Sequence, residues 1–186
     1  MLKKSVFFLL ITLTILIQGC NKKDETAKSA NDMITPNVYV LTNLKNEKMT
    51  VRKEATGYTL DGAKGKVVIF DVFATWCPPC QGEALHLSSL QEKYKDDLVI
   101  IGVTIEDKIT NKELEDFRTE HTANYALVNS DQNRRFINAL TETLDLGERF
   151  PIPMMAMYID GELVNYYIGA VQEEFIESDI KKALGK

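Results

Sequence analysis

The sequence predicts an α/β domain built on a central mixed β-sheet flanked by helices, with an N-terminal β-hairpin extension. Three observations carry this. Val67–Phe73 (VVIFDVF) and Leu98–Thr104 (LVIIGVT) are nearly continuous apolar runs rich in β-branched residues, as expected of strands covered on both faces. Each is followed by a stretch with helical spacing, and alternation of strand and helix implies parallel crossovers. Near the C-terminus two apolar runs flank Asp160-Gly161, a strong hairpin signal that adds an antiparallel pair.

Composition bounds the function. The chain has 186 residues, 45% hydrophobic and 26% charged, which suits one compact core and excludes collagen, long disorder and a multi-span membrane protein. Its 22 basic residues stand against 27 acidic ones, for a formal net charge of -5, so no nucleic acid is expected as a partner. The 3 cysteines, Cys20, Cys77 and Cys80, are too few and too badly spaced for the disulfide framework of a small secreted scaffold.

The N-terminus reads as a targeting segment. Lys3 and Lys4 precede an apolar run from Val6 to Ile17, short of the roughly 20 residues a transmembrane helix needs. It ends in Ile17-Gln18-Gly19-Cys20, which resembles the lipobox of bacterial lipoproteins, with Gln18 departing from the small residue usual there. That resemblance implies a signal over residues 1–19 and lipidation of Cys20. The alternative is an uncleaved anchor with an incidental cysteine. Either places the remainder outside the cytoplasm on a membrane tether. Residues 20–36 are polar and aperiodic and read as a flexible tether.

From residue 37 to 186 the elements follow in order. Val38–Leu41 and Met49–Arg52 form a hairpin across Asn46-Glu47, and Gly57 through Gly65 is a loop. The strand Val67–Phe73 leads into a helix from the cysteine motif to about Lys95. Next come the strand Leu98–Thr104, a helix over Asn111–His121, a short strand at Tyr125–Val128 and a helix over Arg134–Leu144 with Phe136, Leu140 and Leu144 in helical spacing. Met154–Ile159 and Leu163–Ile168 form the hairpin, and a helix over Gln172–Leu184 closes the domain.

Trp76-Cys77-Pro78-Pro79-Cys80 directly follows a buried strand and opens a helix. Cys77 therefore sits at a helix N-terminus, where unpaired N–H groups and the macrodipole favour a thiolate, and is the expected nucleophile. Cys80, one turn in, can close a disulfide onto it. Half of a zinc site is an alternative, but no second cysteine pair exists and His86 and His121 lack knuckle spacing. A purely structural bridge is another, weakened because so short a loop removes little unfolded-state entropy.

The segment FATWCPPC, Phe73 to Cys80, between strand and helix resembles the thioredoxin fold, and more narrowly the membrane-tethered extracytoplasmic reductases of the TlpA, ResA and DsbE type. The resemblance runs from about Asn37 to the C-terminus and is weakest in the early loops and from Thr122 to Gly147. It implies a thiol:disulfide oxidoreductase acting through Cys77 and Cys80, without cofactor or metal, on protein disulfides. It also implies a membrane thiol transporter as electron donor, with the cysteine pair of an apocytochrome c as a candidate substrate. The expected state is a monomer, lipid-anchored on the outer side of a bacterial membrane.

Two acids extend the site. Asp71 interrupts the buried strand six residues before Cys77, and a carboxylate there is costly to desolvate unless function or a partner justifies it. It resembles the buried acid beneath the thioredoxin disulfide. Glu83 shares a helical stripe with Leu87, Leu90 and Tyr94 and sits where the tethered reductases carry a glutamate. Either could move a proton to or from Cys80. The resemblance further implies that Pro153, with Pro151 as the rival, is cis and faces the disulfide. Ile152 would then offer its backbone to an extended peptide beside Trp76 and Pro78.

Other readings stay open. A disulfide-donating oxidant shares the motif. A copper-binding assembly chaperone of the same fold would draw on Met154, Met155 and Met157, although methionines in a strand are more often core filler. A peroxidase of related fold would use a lone cysteine with a distant partner.

Overall fold

The computed structural model describes residues 36–186. Cys20, the signal segment and the tether up to residue 35 lie outside the described residues.

Two sheets organise the chain. A three-stranded antiparallel sheet joins β1 (Val38–Thr42), β2 (Lys48–Lys53) and β3 (Tyr58–Leu60). The larger sheet has the order β6-β5-β4-β7-β8, with β4 (Val67–Phe73), β5 (Leu98–Thr104), β6 (Ala126–Val128), β7 (Met154–Ile159) and β8 (Glu162–Ile168). β4, β5 and β6 run parallel, whereas β7 and β8 are antiparallel, so the sheet is mixed. Four helices accompany them among the described residues: α1 (Pro78–Lys93), α2 (Asn111–His121), α3 (Asn133–Thr143) and α4 (Glu173–Ala183).

β4 is buried along its whole length, as its nearly continuous apolar run requires, and its apolar residues alternate between two cores. Val67, Ile69 and Phe73 join Leu87 and Leu90 of α1, Leu114 and Phe117 of α2, Ile176 and Ile180 of α4 and both cysteines. Val68, Phe70 and Val72 face the other way, onto α3 and the smaller sheet. There Tyr39, Tyr58, Phe70, Phe136 and Tyr158 pack edge to face or tilted, with centroids 4.8–6.4 Å apart.

Most sequence-based boundaries move by a residue or two, and three differences bear on the fold. β3 lies inside the segment read as loop between Gly57 and Gly65, because three residues are too short to show a period. The β1–β2 connection spans Asn43 to Glu47, with Asn43 Oδ1 accepting the N–H groups of Lys45 and Glu47 and Asn46 at φ 62°. α1 ends at Lys93 rather than Lys95, capped by the Tyr94 N–H on Leu90 O. The loop after β1 also reaches the larger sheet: Asn43 bridges Val128, and the Leu44 N–H donates to Leu127 O. At Asp160-Gly161 both residues adopt positive φ, 48° and 88°, as a tight hairpin turn demands. Among the described residues no helix is long and apolar enough to cross a membrane.

Candidate active site

Cys77 is the N-cap of α1, with extended backbone geometry, and Pro78 and Pro79 open the helix where their missing N–H groups remove no intrahelical bond. Cys77 and Cys80 are joined as a disulfide with a Cα–Cα distance of 5.3 Å. The Cys80 N–H points at Cys77 Sγ from 3.4 Å, and the first turn holds no acidic side chain. A thiolate formed at Cys77 would therefore meet a backbone donor and the unopposed positive end of the helix. In the disulfide form both cysteines are buried to the same degree.

The surroundings divide into a surface and a floor. At the surface Trp76 is 64% exposed and Pro78 is also exposed. Ile152 is half-buried, its carbonyl oxygen 3.9 Å from Cys77 Sγ, and of the two prolines beside it the buried Pro153 is the one preceded by a cis bond. Below lie Asp71 and Glu83, exposed by only 2% and 3%. Asp71 accepts a hydrogen bond from the Tyr125 hydroxyl at 3.1 Å on Oδ2, and Glu83 Oε1 accepts the Val171 N–H at 3.0 Å. The other oxygen of each carboxyl has no hydrogen-bond partner.

Burial governs both acids. It pushes the Asp71 carboxyl up to about 8, with the Glu83 charge adding to the rise and the Tyr125 hydroxyl opposing it. Glu83 is raised by burial to about 7, held back by the Val171 N–H and by His86. Burial thus raises both carboxyls toward neutrality, and the Glu83 charge adds to the rise of Asp71, which suits groups that exchange protons with thiols. Burial and the neighbouring Asp71 carboxyl together keep the Tyr125 phenol protonated.

Three polar residues of this site, Glu106, Gln81 and Tyr125, escaped the sequence reading. Glu106, just beyond β5, accepts the Thr75 N–H at 2.8 Å and the Thr75 hydroxyl at 3.0 Å, and the Gln81 side-chain amide donates to Thr75 O at 2.7 Å. The signal for Glu106 was available: a parallel β5 ends on the same side of the sheet as β4, so a polar residue there falls beside the cysteine motif. Tyr125, taken only as the start of a strand, gave none.

The metal readings find little support in the geometry. Met155 and Met157 lie in one core and Met154 in the other, so the three thioethers fill space on opposite faces of β7. Among the described residues no three His, Cys, Asp or Glu side chains are grouped to hold a metal ion. His86 pairs with Glu173 at 3.1 Å, and the ring of His121 packs against Phe117.

Comparison with known proteins agrees with this geometry. The chain is 28% identical over 147 residues to the thiol-disulfide oxidoreductase ResA of Bacillus thuringiensis, covering 73% of this chain and 80% of that protein. Its fold is similar to a thiol:disulfide interchange protein of the thioredoxin family from Chlorobium tepidum, with TM-score 0.62 and 18% identity over 80% of this chain and 94% of that one. It is likewise similar to a secreted Mycobacterium tuberculosis disulfide oxidoreductase homologous to Escherichia coli DsbE, with TM-score 0.55 and 15% identity over 77% and 95%. Residues 29–184 match the Redoxin family model, and the chain belongs to that family, with the thioredoxin-like fold and the activity of a thiol:disulfide oxidoreductase.

Proposed function

We propose that the chain works as a reductant of protein disulfides outside the cytoplasm, tethered through a lipidated Cys20. The observation that carries this reading is Cys77 at the N-cap of α1 with Cys80 one turn behind and two protonatable carboxyls buried nearby. In the reduced protein the Cys77 thiolate attacks a substrate disulfide, forming a mixed disulfide and releasing one substrate thiolate. Cys80 gives its proton to Asp71 or Glu83 and attacks Cys77 Sγ. The second substrate thiol leaves, two electrons have passed to the substrate, and the Cys77–Cys80 disulfide is restored.

Trp76, Pro78 and the Ile152 backbone are the surface on which an extended cysteine-bearing peptide would lie. The proposed substrate is the paired haem-binding cysteines of an apocytochrome c, with a membrane thiol transporter returning electrons to a monomeric enzyme. Equilibration of the protein with glutathione buffers tests the direction. Dithiol proteins span about -270 to -120 mV, and a reductant belongs in the lower half of that range. A potential near the oxidising end would replace this reading by that of a disulfide donor.

A further inference from the structure

Asp71 stands in register with Gly102 on β5 and with Met155 on β7. The space at Gly102 is filled by side chains of the neighbouring strands and of the segment that leads into β6. A Cβ placed there would come within 2.9 Å of Tyr125 Cε2 and 2.8 Å of Leu127 Cδ2, so the tyrosine ring lies against the bare Cα, and any larger residue must move it. From that seat the Tyr125 hydroxyl reaches across one strand to Asp71 Oδ2, while Oδ1 has no hydrogen-bond partner.

We propose that Tyr125 and Gly102 act together as positioning residues for Asp71: Gly102 seats the ring, and the ring's hydroxyl, by occupying Oδ2, leaves Oδ1 as the oxygen that takes and returns the proton. The inference rests on the proton-carrying role proposed above for Asp71. In each turnover the Cys80 thiol loses one proton and Oδ1 gains it; Tyr125 keeps its own. The titratable groups facing Asp71 are Tyr125 and Glu83 on α1. The register neighbours on β5 and β7, Gly102 and Met155, do not titrate.

The test follows the Asp71 carboxyl carbon by NMR titration in the oxidised full chain, beside the pH–rate profile of disulfide reduction. Tyr125→Phe removes a hydrogen bond donated to a carboxylate, so Asp71 should titrate about one pH unit higher, and the rate profile should move the same way. Gly102→Ala, which displaces the ring instead of deleting its hydroxyl, should shift Asp71 in the same direction and add nothing in the double variant. An Asp71 titration that Tyr125→Phe leaves in place overturns the inference, even if the variant is less stable. Asp71→Asn with an unchanged rate profile would instead overturn the reading on which the inference rests, whatever the titrations show.

Discussion

Glu106 holds Thr75 at both its N–H and its hydroxyl, so one side chain at the end of β5 fixes the turn that carries Trp76 into solvent. Thr104 adds a third bond, from its hydroxyl to Glu106 Oε2 at 2.9 Å. The carboxylate is thereby oriented by β5 and orients the segment after β4. The Gln81 amide on Thr75 O is a further anchor of that segment. The two strands of the parallel pair are thus coupled through a side chain just where the reactive turn begins.

Removing that clamp should loosen the peptide-facing turn without dismantling the core. Glu106→Ala is expected to lower the rate of disulfide reduction roughly ten- to hundred-fold, because a displacement of about 1 Å near reacting atoms has effects of that size. Glu106→Gln, which turns an N–H₂ toward one of the donors, should fall between. Steady-state kinetics on a disulfide-bonded peptide, with thermal midpoints as control, would show it. A fold that melts early with kinetics intact would make Glu106 a structural residue only.

The roles of the thiols should separate once the disulfide is open. Alkylation of the reduced protein at mildly acidic pH should modify Cys77 first, since the helix N-terminus stabilises its thiolate. Cys80→Ser should accumulate mixed disulfides with substrate, whereas Cys77→Ser should accumulate none. Mass spectrometry of the trapped adducts reads the assignment directly, and trapping by Cys77→Ser would reverse it.

Stability should fall with rising pH across neutrality. Asp71 and Glu83 have folded values of about 8 and 7, above the ordinary carboxylate range they recover on unfolding. Their contribution is therefore complete below about pH 4 and is lost as pH rises through 7 and 8, because the folded state holds protons the unfolded state has released. Asp71→Asn should flatten this slope and raise stability at pH 9 by roughly 2–4 kcal/mol, provided that the amide finds hydrogen bonds. Urea midpoints of both proteins between pH 5 and 9 are the measurement. In kinetics, Glu83→Gln should cost more exchange rate near pH 7 than Asp71→Asn, because Glu83 shares α1 with Cys80.

The second core should be separable from the chemistry. Phe136 is fully buried among Tyr39, Tyr58 and Phe70, on the face of the sheet away from the cysteines. Phe136→Ala is expected to destabilise the fold by about 3–5 kcal/mol while leaving the exchange rate of the folded protein within about twofold of wild type. A large rate loss at temperatures where the variant is folded would show that the two cores communicate.

Legibility in the sequence followed the length of each signal. β4 and β5 could be read because each is a seven-residue stretch with six apolar or glycine positions, which has few alternatives, and Asp71 was conspicuous for breaking such a run. The cysteine motif, placed between strand and helix, located the reactive end of the sheet. By contrast β3 is three residues long, and its place is set by pairing with β2 rather than by any pattern of its own. Tyr125 was illegible for a related reason: its hydroxyl bond spans 54 residues and depends on a glycine one strand away. Glu106, by contrast, was within reach of the sequence, because the parallel register of β4 and β5 brings a polar residue after β5 beside Thr75.

The loop after β1 that clasps β6 leaves the larger sheet with one closed margin and one open. At the β6 margin, Asn43 and Leu44 occupy backbone positions that another strand would need. At the opposite margin β8 has no neighbour beyond β7 among the described residues, and Leu163, Tyr166 and Ile168 along it are each about two-fifths exposed. Strand-by-strand association between copies at high concentration, were it to begin from the folded state, therefore has β8 as its template, and a lysine on that strand is the natural place to block it.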